Sequence, residues 1–110
     1  MKKERREAGV KFGNLFFMDG WCIDNANMGP EQEIRECFKQ VADYLKKEGV
    51  GLENVLKVTV YLKDISDRER YMNKVWQEYF PKDAPVRCTV EVGLGTCRIE
   101  LDVITAWPEK

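Results

Sequence analysis

Hydrophobic and polar positions along this chain fall into patterns regular enough to name most of its elements. Residues 84–92, Ala-Pro-Val-Arg-Cys-Thr-Val-Glu-Val, and residues 98–104, Arg-Ile-Glu-Leu-Asp-Val-Ile, both alternate along most of their length. Side chains two apart in a strand share a face. The pattern predicts Cys88, Val90 and Val92 on a core, with Arg87, Thr89 and Glu91 facing away. It likewise places Ile99, Leu101 and Val103 inward and Arg98, Glu100 and Asp102 outward. A third strand covers 56–62, with Leu56, Val58, Val60 and Leu62 inward and Lys57, Thr59 and Tyr61 outward. Near the N-terminus, Val10-Lys11-Phe12 and Leu15-Phe16-Phe17-Met18 flank Gly13-Asn14 and read as a hairpin.

Two segments carry helical spacing instead. Ile34, Cys37, Phe38, Val41 and Leu45 follow the i, i+3, i+4, i+7 rhythm of one buried stripe. Pro30 suits the first helical position, Glu31 and Glu33 the first turn, and Gly49 the stop, so the helix runs over about 30–48. A second helix covers about 68–79, with Tyr71, Val75, Trp76, Tyr79 and Phe80 as its apolar side. Asp64 or Ser66 is its candidate cap, and Pro81 ends it. The order β-β-α-β-α-β-β predicts an α+β domain with two helices on one sheet face. The other face would carry Lys57, Thr59, Tyr61, Arg87, Thr89, Glu91, Arg98, Glu100 and Asp102, and would meet either water or a symmetry mate.

At 110 residues the chain is one domain, residues 1–110. Residues 1–8 are a mixed-charge run read as a flexible, frayed tail without the apolar segment of a signal peptide. No run is long enough to cross a bilayer as a helix. With 18 basic and 19 acidic residues there is no electrostatic footprint for nucleic acid or an anionic membrane, so neither is expected as a partner.

Histidine is absent, which excludes Ser-His and Cys-His nucleophile pairs. Cys22, Cys37, Cys88 and Cys97 form no Cys-x-x-Cys pair, so no metal site is expected. Reduced thiols and a cytoplasmic location are the expectation. Cys37 and Cys88 are read as core residues.

The remaining chemistry lies in Arg87 and the carboxylates. A guanidinium fork can hold a substrate carboxylate in two parallel hydrogen bonds. A nearby carboxylate can orient water and move a proton. The bland alternatives are ion pairs, Arg87 with Glu91 or Asp102, and Glu100 with Arg98 or Lys57.

Taken together, these segments resemble the RidA (YjgF) family of enamine/imine deaminases, also called L-PSP endoribonucleases, over about residues 9–105. The similar pieces are the opening hairpin at 9–15, the helix-to-strand segment at 51–64, and Asn73 with Trp76, Tyr79 and Phe80. The signature at 84–92 and the last strand at 99–102 complete the set. The resemblance implies a chorismate-mutase-like mixed sheet and a homotrimer with three intersubunit clefts lined by the polar sheet face. It also implies that the 55–62 strand lies between the last two strands, where a local reading makes a hairpin.

Carried over residue by residue, Arg87 grips the substrate carboxylate and Glu100 positions the attacking water. Thr89 stands where a cysteine or small residue approaches the reacting carbon, and Asn73 lies near the cleft. The implied reaction is cofactor-free hydrolysis of 2-aminoacrylate-type enamines and imines to 2-keto acids and ammonia.

Asp19-Gly20-Trp21-Cys22-Ile23 replaces the family's Ser-Gly-Gln-Ile-Pro stretch, which makes Asp19, Gly20 and Trp21 candidate pocket residues. An ionised Asp19 would repel an anionic substrate. Trp21 would narrow the pocket or contact a neighbouring subunit. The N-terminal tyrosine segment of the family has no counterpart before Gly9. Two alternatives therefore stand beside the leading one. One is a deaminase of a larger enamine acid such as 2-aminomuconate; the other is a non-catalytic trimer that binds a small carboxylate or acts as a holdase.

Overall fold

Helix α1 (Pro30–Lys47) forms as its spacing predicts. Its Glu31 and Glu33 meet the positive end of the helix dipole, and Lys46 and Lys47 the negative end. Gly49, at φ 83°, supplies the left-handed residue just past the helix. Ile34, Cys37, Phe38, Val41 and Leu45 are buried. The second helix, α2 (Asn73–Tyr79), is entered through a π-turn at Arg68–Met72. Asp64 does not cap it directly; its carboxylate accepts from the Ser66 backbone N–H (2.9 Å) and hydroxyl (2.7 Å) and shapes the turn before it.

The computed structural model describes residues 2–108. Its strands are β1 (Lys3–Arg6), β2 (Gly9–Phe12), β3 (Leu15–Met18), β4 (Trp21–Cys22), β5 (Val55–Leu62), β6 (Val86–Glu91) and β7 (Ile99–Ala106). They make one mixed sheet in the order β1-β2-β3-β7-β5-β6, with β4 also paired to β7. The long strand β5 lies between β6 and β7, parallel to the first and antiparallel to the second. This is the arrangement the resemblance implies, not the local hairpin. Val58, Val60, Leu62, Ile99, Leu101 and Val103 form the sheet side of a core closed by Phe38, Met72, Val75, Trp76 and Phe80.

Three expectations need correction. Residues 3–6 are not frayed. They pair with β2, and Arg6 forms an ion pair with Glu48 (2.6 Å) that ties the strand to the end of α1. Leu56 does not face the core. A register irregularity between Val55 and Lys57 turns it to solvent and gives the inward place to Val55.

The third correction concerns β6. Val58 pairs with Arg87 and Val60 with Thr89, so Arg87, Thr89 and Glu91 are on the helix side of the sheet. Cys88 and Val90 pair with Thr59 and Tyr61 and face the open side, and Cys88 is exposed rather than buried. The alternation was real, but β6 is an edge strand beside the thin end of the helix layer. Its apolar residues turn to the uncovered face. Val86 there is 68% exposed, and Phe12, Phe17 and Val90 are exposed as well.

Glu48 accepts hydrogen bonds from Arg6 and from the Tyr44 hydroxyl (2.7 Å), and Arg6 holds its carboxyl below the ordinary value of 4.5. A depressed acid stabilises the fold above its unfolded pKa, and that contribution is lost as pH falls through the folded pKa. Glu48→Gln should therefore lower the urea midpoint at pH 7. The gap between variant and parent should close as pH falls below about 4.

Candidate active site

Arg87 leaves the edge strand toward the helices and lies on two apolar neighbours. Its Cζ stands 5.0 Å from the centroid of the Trp76 ring, and Nη1 donates to the Met72 sulfur at 3.7 Å. Among the described residues no carboxylate pairs with it. Glu91 instead accepts from the Ile65 backbone N–H (2.9 Å), and Asp102 faces the opposite side of the sheet. Burial, and then the charge of Arg68, push the Arg87 guanidinium below its usual value. The nearest carboxylate to Arg68 is Glu69, at 4.0 Å. Two neighbouring cations that are weakly neutralised favour an anion between or beside them.

Thr89 is two residues further along the same face, about 6.6 Å of strand away. Its hydroxyl oxygen is buried and has no hydrogen-bond partner among the described residues. Such a group costs about 1–3 kcal/mol when nothing satisfies it. On one face, among the described residues, the edge strand thus carries a cation with no carboxylate partner and a hydroxyl with no hydrogen-bond partner.

Glu100 belongs to the other face. It pairs with Tyr61 across β5 and with Cys22 across β4. With Gly20, Tyr61, Val92, Gly93, Leu94 and Asp102 it lines an open cleft of about 460 Å³. Gly20 lies against its carboxylate so closely that a Cβ on residue 20 would clash with Oε2 unless the carboxylate moved. Neither proposed ion pair of Glu100 forms among the described residues, because Arg98 Nε donates to the buried Asp67 (2.7 Å) instead. One chain thus does not bring Arg87 and Glu100 to the same substrate. Val58 and Tyr61, their partners on β5, have opposite parity, so the two groups lie on opposite sheet faces.

The other expected residues are divided. Asn73 is exposed at the start of α2, next in sequence to Met72, on which Arg87 rests. Asp19 is exposed and forms an ion pair with Arg5, which offsets its charge and holds its carboxyl below the usual range. Trp21 is not a wall of the Glu100 cleft. Its partner Leu101 places it on the helix side, where it stacks near Tyr44 (5.5 Å) and its indole N–H donates to Gln40 (2.9 Å). The sequence reading missed Arg68, Met72 and Trp76 around Arg87. Only Trp76 carried a usable signal, as an aromatic on α2 within the resemblance.

A mixed sheet backed by two helices, with an unneutralised arginine on its edge strand, defines a small α+β protein whose polar groups are split between two faces. The Endoribonuclease L-PSP family model matches residues 7–106. A RutC family protein of Pyrococcus abyssi is 37% identical over 101 residues, covering 86% of this chain and 76% of that protein. The human 2-iminobutanoate/2-iminopropanoate deaminase is 31% identical over 78 residues, covering 69% of this chain and 56% of that protein. A solved structure of a YjgF/YER057c/UK114 family member from Mycobacterium tuberculosis has a TM-score of 0.77 at 25% identity, covering 89% of this chain and 83% of that one. The chain belongs to the endoribonuclease L-PSP family, the RidA (YjgF) family.

Two substitutions test this geometry without a substrate. Thr89→Val removes an unpartnered hydroxyl while keeping the side-chain shape. Its unfolding free energy should match the parent's or exceed it by up to about 1 kcal/mol; a comparable loss would mean that the hydroxyl is bonded in solution. Gly20→Ala should fold with little change in urea midpoint, because only the end of a flexible side chain must yield. A crystal structure of that variant should show the Glu100 carboxylate rotated away from residue 20.

Proposed function

We propose that this protein hydrolyses small 2-imino acids, and the enamines that tautomerise to them, to 2-keto acids and ammonia. The observation that carries the reading is the Arg87–Thr89 pair: among the described residues, a half-buried cation with no carboxylate partner and, two residues on along the same face, a buried hydroxyl oxygen with no hydrogen-bond partner. A substrate carboxylate supplies what Arg87 lacks, in the bidentate geometry guanidinium favours. Kinship with a human protein named as an imine deaminase supports the same chemistry.

In this mechanism Arg87 fixes the carboxylate and so places C2 of the imine. Glu100 accepts a hydrogen bond from a water and takes its proton as oxygen attacks C2. The proton passes to nitrogen to give the tetrahedral carbinolamine; Glu100 then moves the carbinolamine hydroxyl proton to nitrogen as the C–O bond becomes C=O, and ammonia leaves with both electrons of the C–N bond. Water is the only co-reactant and no covalent enzyme intermediate forms, so the absence of histidine is no obstacle. The Thr89 hydroxyl donates to the substrate or to the oxygen that develops from the water.

Because Arg87 and Glu100 occupy opposite sheet faces, the reading requires a second subunit to complete each site. We assign that role to a homotrimer with one cleft at each junction. The exposed apolar residues Phe12, Phe17, Val86 and Val90 on the open face support such burial. RNA cleavage, which the family name also suggests, lacks support from a chain with net charge −1 and no histidine.

The test is complementation. Arg87→Ala and Glu100→Gln should each lower the release of ammonia from freshly generated 2-iminopropanoate by at least about 100-fold. Co-expressed with different tags and purified as mixed trimers, the two variants should regain activity in about one third of the clefts, because each mixed ring has a single junction with both groups intact. No rescue would place both residues in one chain's site. Parent rates equal to the uncatalysed rate would leave a carboxylate-binding trimer, whose Arg87→Ala variant should then lose pyruvate binding.

A further inference from the structure

We propose that Cys22, Asp24 and Cys97 form a binding site for one thiophilic divalent cation of the zinc class, with a fourth coordination position open to water or an added ligand. The three residues come from two separate segments. Cys22 ends β4, Asp24 follows it by two, and Cys97 closes the turn before β7. Their ligand atoms all lie within 4.8 Å of one another. Zinc–sulfur bonds of about 2.3 Å and zinc–oxygen bonds of about 2.0–2.2 Å put tetrahedral ligand atoms about 3.6–3.8 Å apart. Small side-chain rotations therefore reach the required spacing.

The site is also held in place. Asp24 Oδ1 accepts from the Cys97 thiol at 3.0 Å and from the Thr96 hydroxyl at 3.3 Å. Asn25 and Asn27, at φ 51° and 53°, turn the chain after Asp24, and the Asn25 backbone N–H donates back to Thr96 (3.3 Å). On the other segment Gly95, at φ 61°, and the Cys97 N–H to Leu94 carbonyl bond (3.1 Å) fix the turn. Cys97 is buried, Cys22 half-buried and Asp24 exposed, so a cation has a protected seat and an entry path. Cys37 is outside the set, because its thiol donates to the Trp21 carbonyl (3.4 Å).

Two thiolates and a carboxylate select a zinc-like ion over magnesium or calcium, which prefer all-oxygen sets. A cation also fits this cluster better than a disulfide. A disulfide would join only the two sulfurs and leave the Asp24 carboxylate, which accepts from the Cys97 thiol at 3.0 Å, without a role in the cluster. A divalent ion engages both sulfurs and the carboxylate together. The inference is independent of the hydrolytic mechanism, in which the three side chains take no part.

The experiment is an anaerobic titration of the fully reduced, full-length protein with Co(II), followed by optical spectroscopy and then by displacement with Zn(II). Saturation at one equivalent, with the visible bands of tetrahedral Co(II) and thiolate-to-cobalt charge transfer, is expected. Cys88→Ser should leave the spectrum unchanged. Cys22→Ser and Cys97→Ser should abolish the charge-transfer band. An outer-shell partner alone is worth about 10–100-fold in metal affinity, so Asp24→Asn should weaken Co(II) binding by at least about tenfold. This exposed position should fold even where Cys97→Ser does not. No saturable binding would overturn the proposal. So would a band that survives Cys22→Ser but disappears in Cys88→Ser, or an Asp24→Asn variant that binds as tightly as the parent.

Discussion

The pairing of β6 with β5 decides where Arg87 and Thr89 stand. Strands have a side-chain period of two, so pairing Val58 with Arg87 decides the face of every residue on the edge strand. One residue of slip would put Arg87 and Thr89 on the open face and Cys88 in the helix layer. The crossover between β5 and β6 runs through the π-turn and α2, and the same stretch provides the Met72 and Trp76 surface on which Arg87 rests. The scaffold element and the lining of the site are one piece of chain.

Much of the fold was legible because period and stop signals agreed. The α1 stripe with Pro30 and Gly49, the β2–β3 hairpin around Gly13-Asn14, and the alternation of β7 each had two independent cues. The position of β5 between β6 and β7 was not legible locally, since nearby strands favour the hairpin. Family resemblance supplied it, over residues 9–105 against a matched span of 7–106.

The failures share a cause, which is that periodicity gives faces but not what covers them. Cys88 and Val90 alternate like core residues, yet their apolar side meets the uncovered face, because an edge strand need not follow the burial of its neighbour. Leu56 was lost to a bulge, which leaves no mark in composition. The charged start at 3–6 looked unstructured because each residue is polar; cross-strand pairing and the Arg6–Glu48 tie hold it. The pairing with Leu101 that puts Trp21 on the helix side, and the turn that brings Cys97 to Cys22 and Asp24, are likewise not revealed by spacing alone.

The open face carries Lys57, Glu100 and Asp102 among its apolar residues. The open face of a single chain therefore combines exposed apolar side chains with charges that interrupt them. Such interruptions slow indiscriminate sheet-to-sheet sticking, because a wrongly seated neighbour must strip water from a lysine or carboxylate without repaying it. A neighbour that matches those charges escapes the penalty. Lys57, Glu100 and Asp102 thus set a condition on whatever covers this face: its charges must match theirs as well as its apolar groups the exposed phenylalanines and valines.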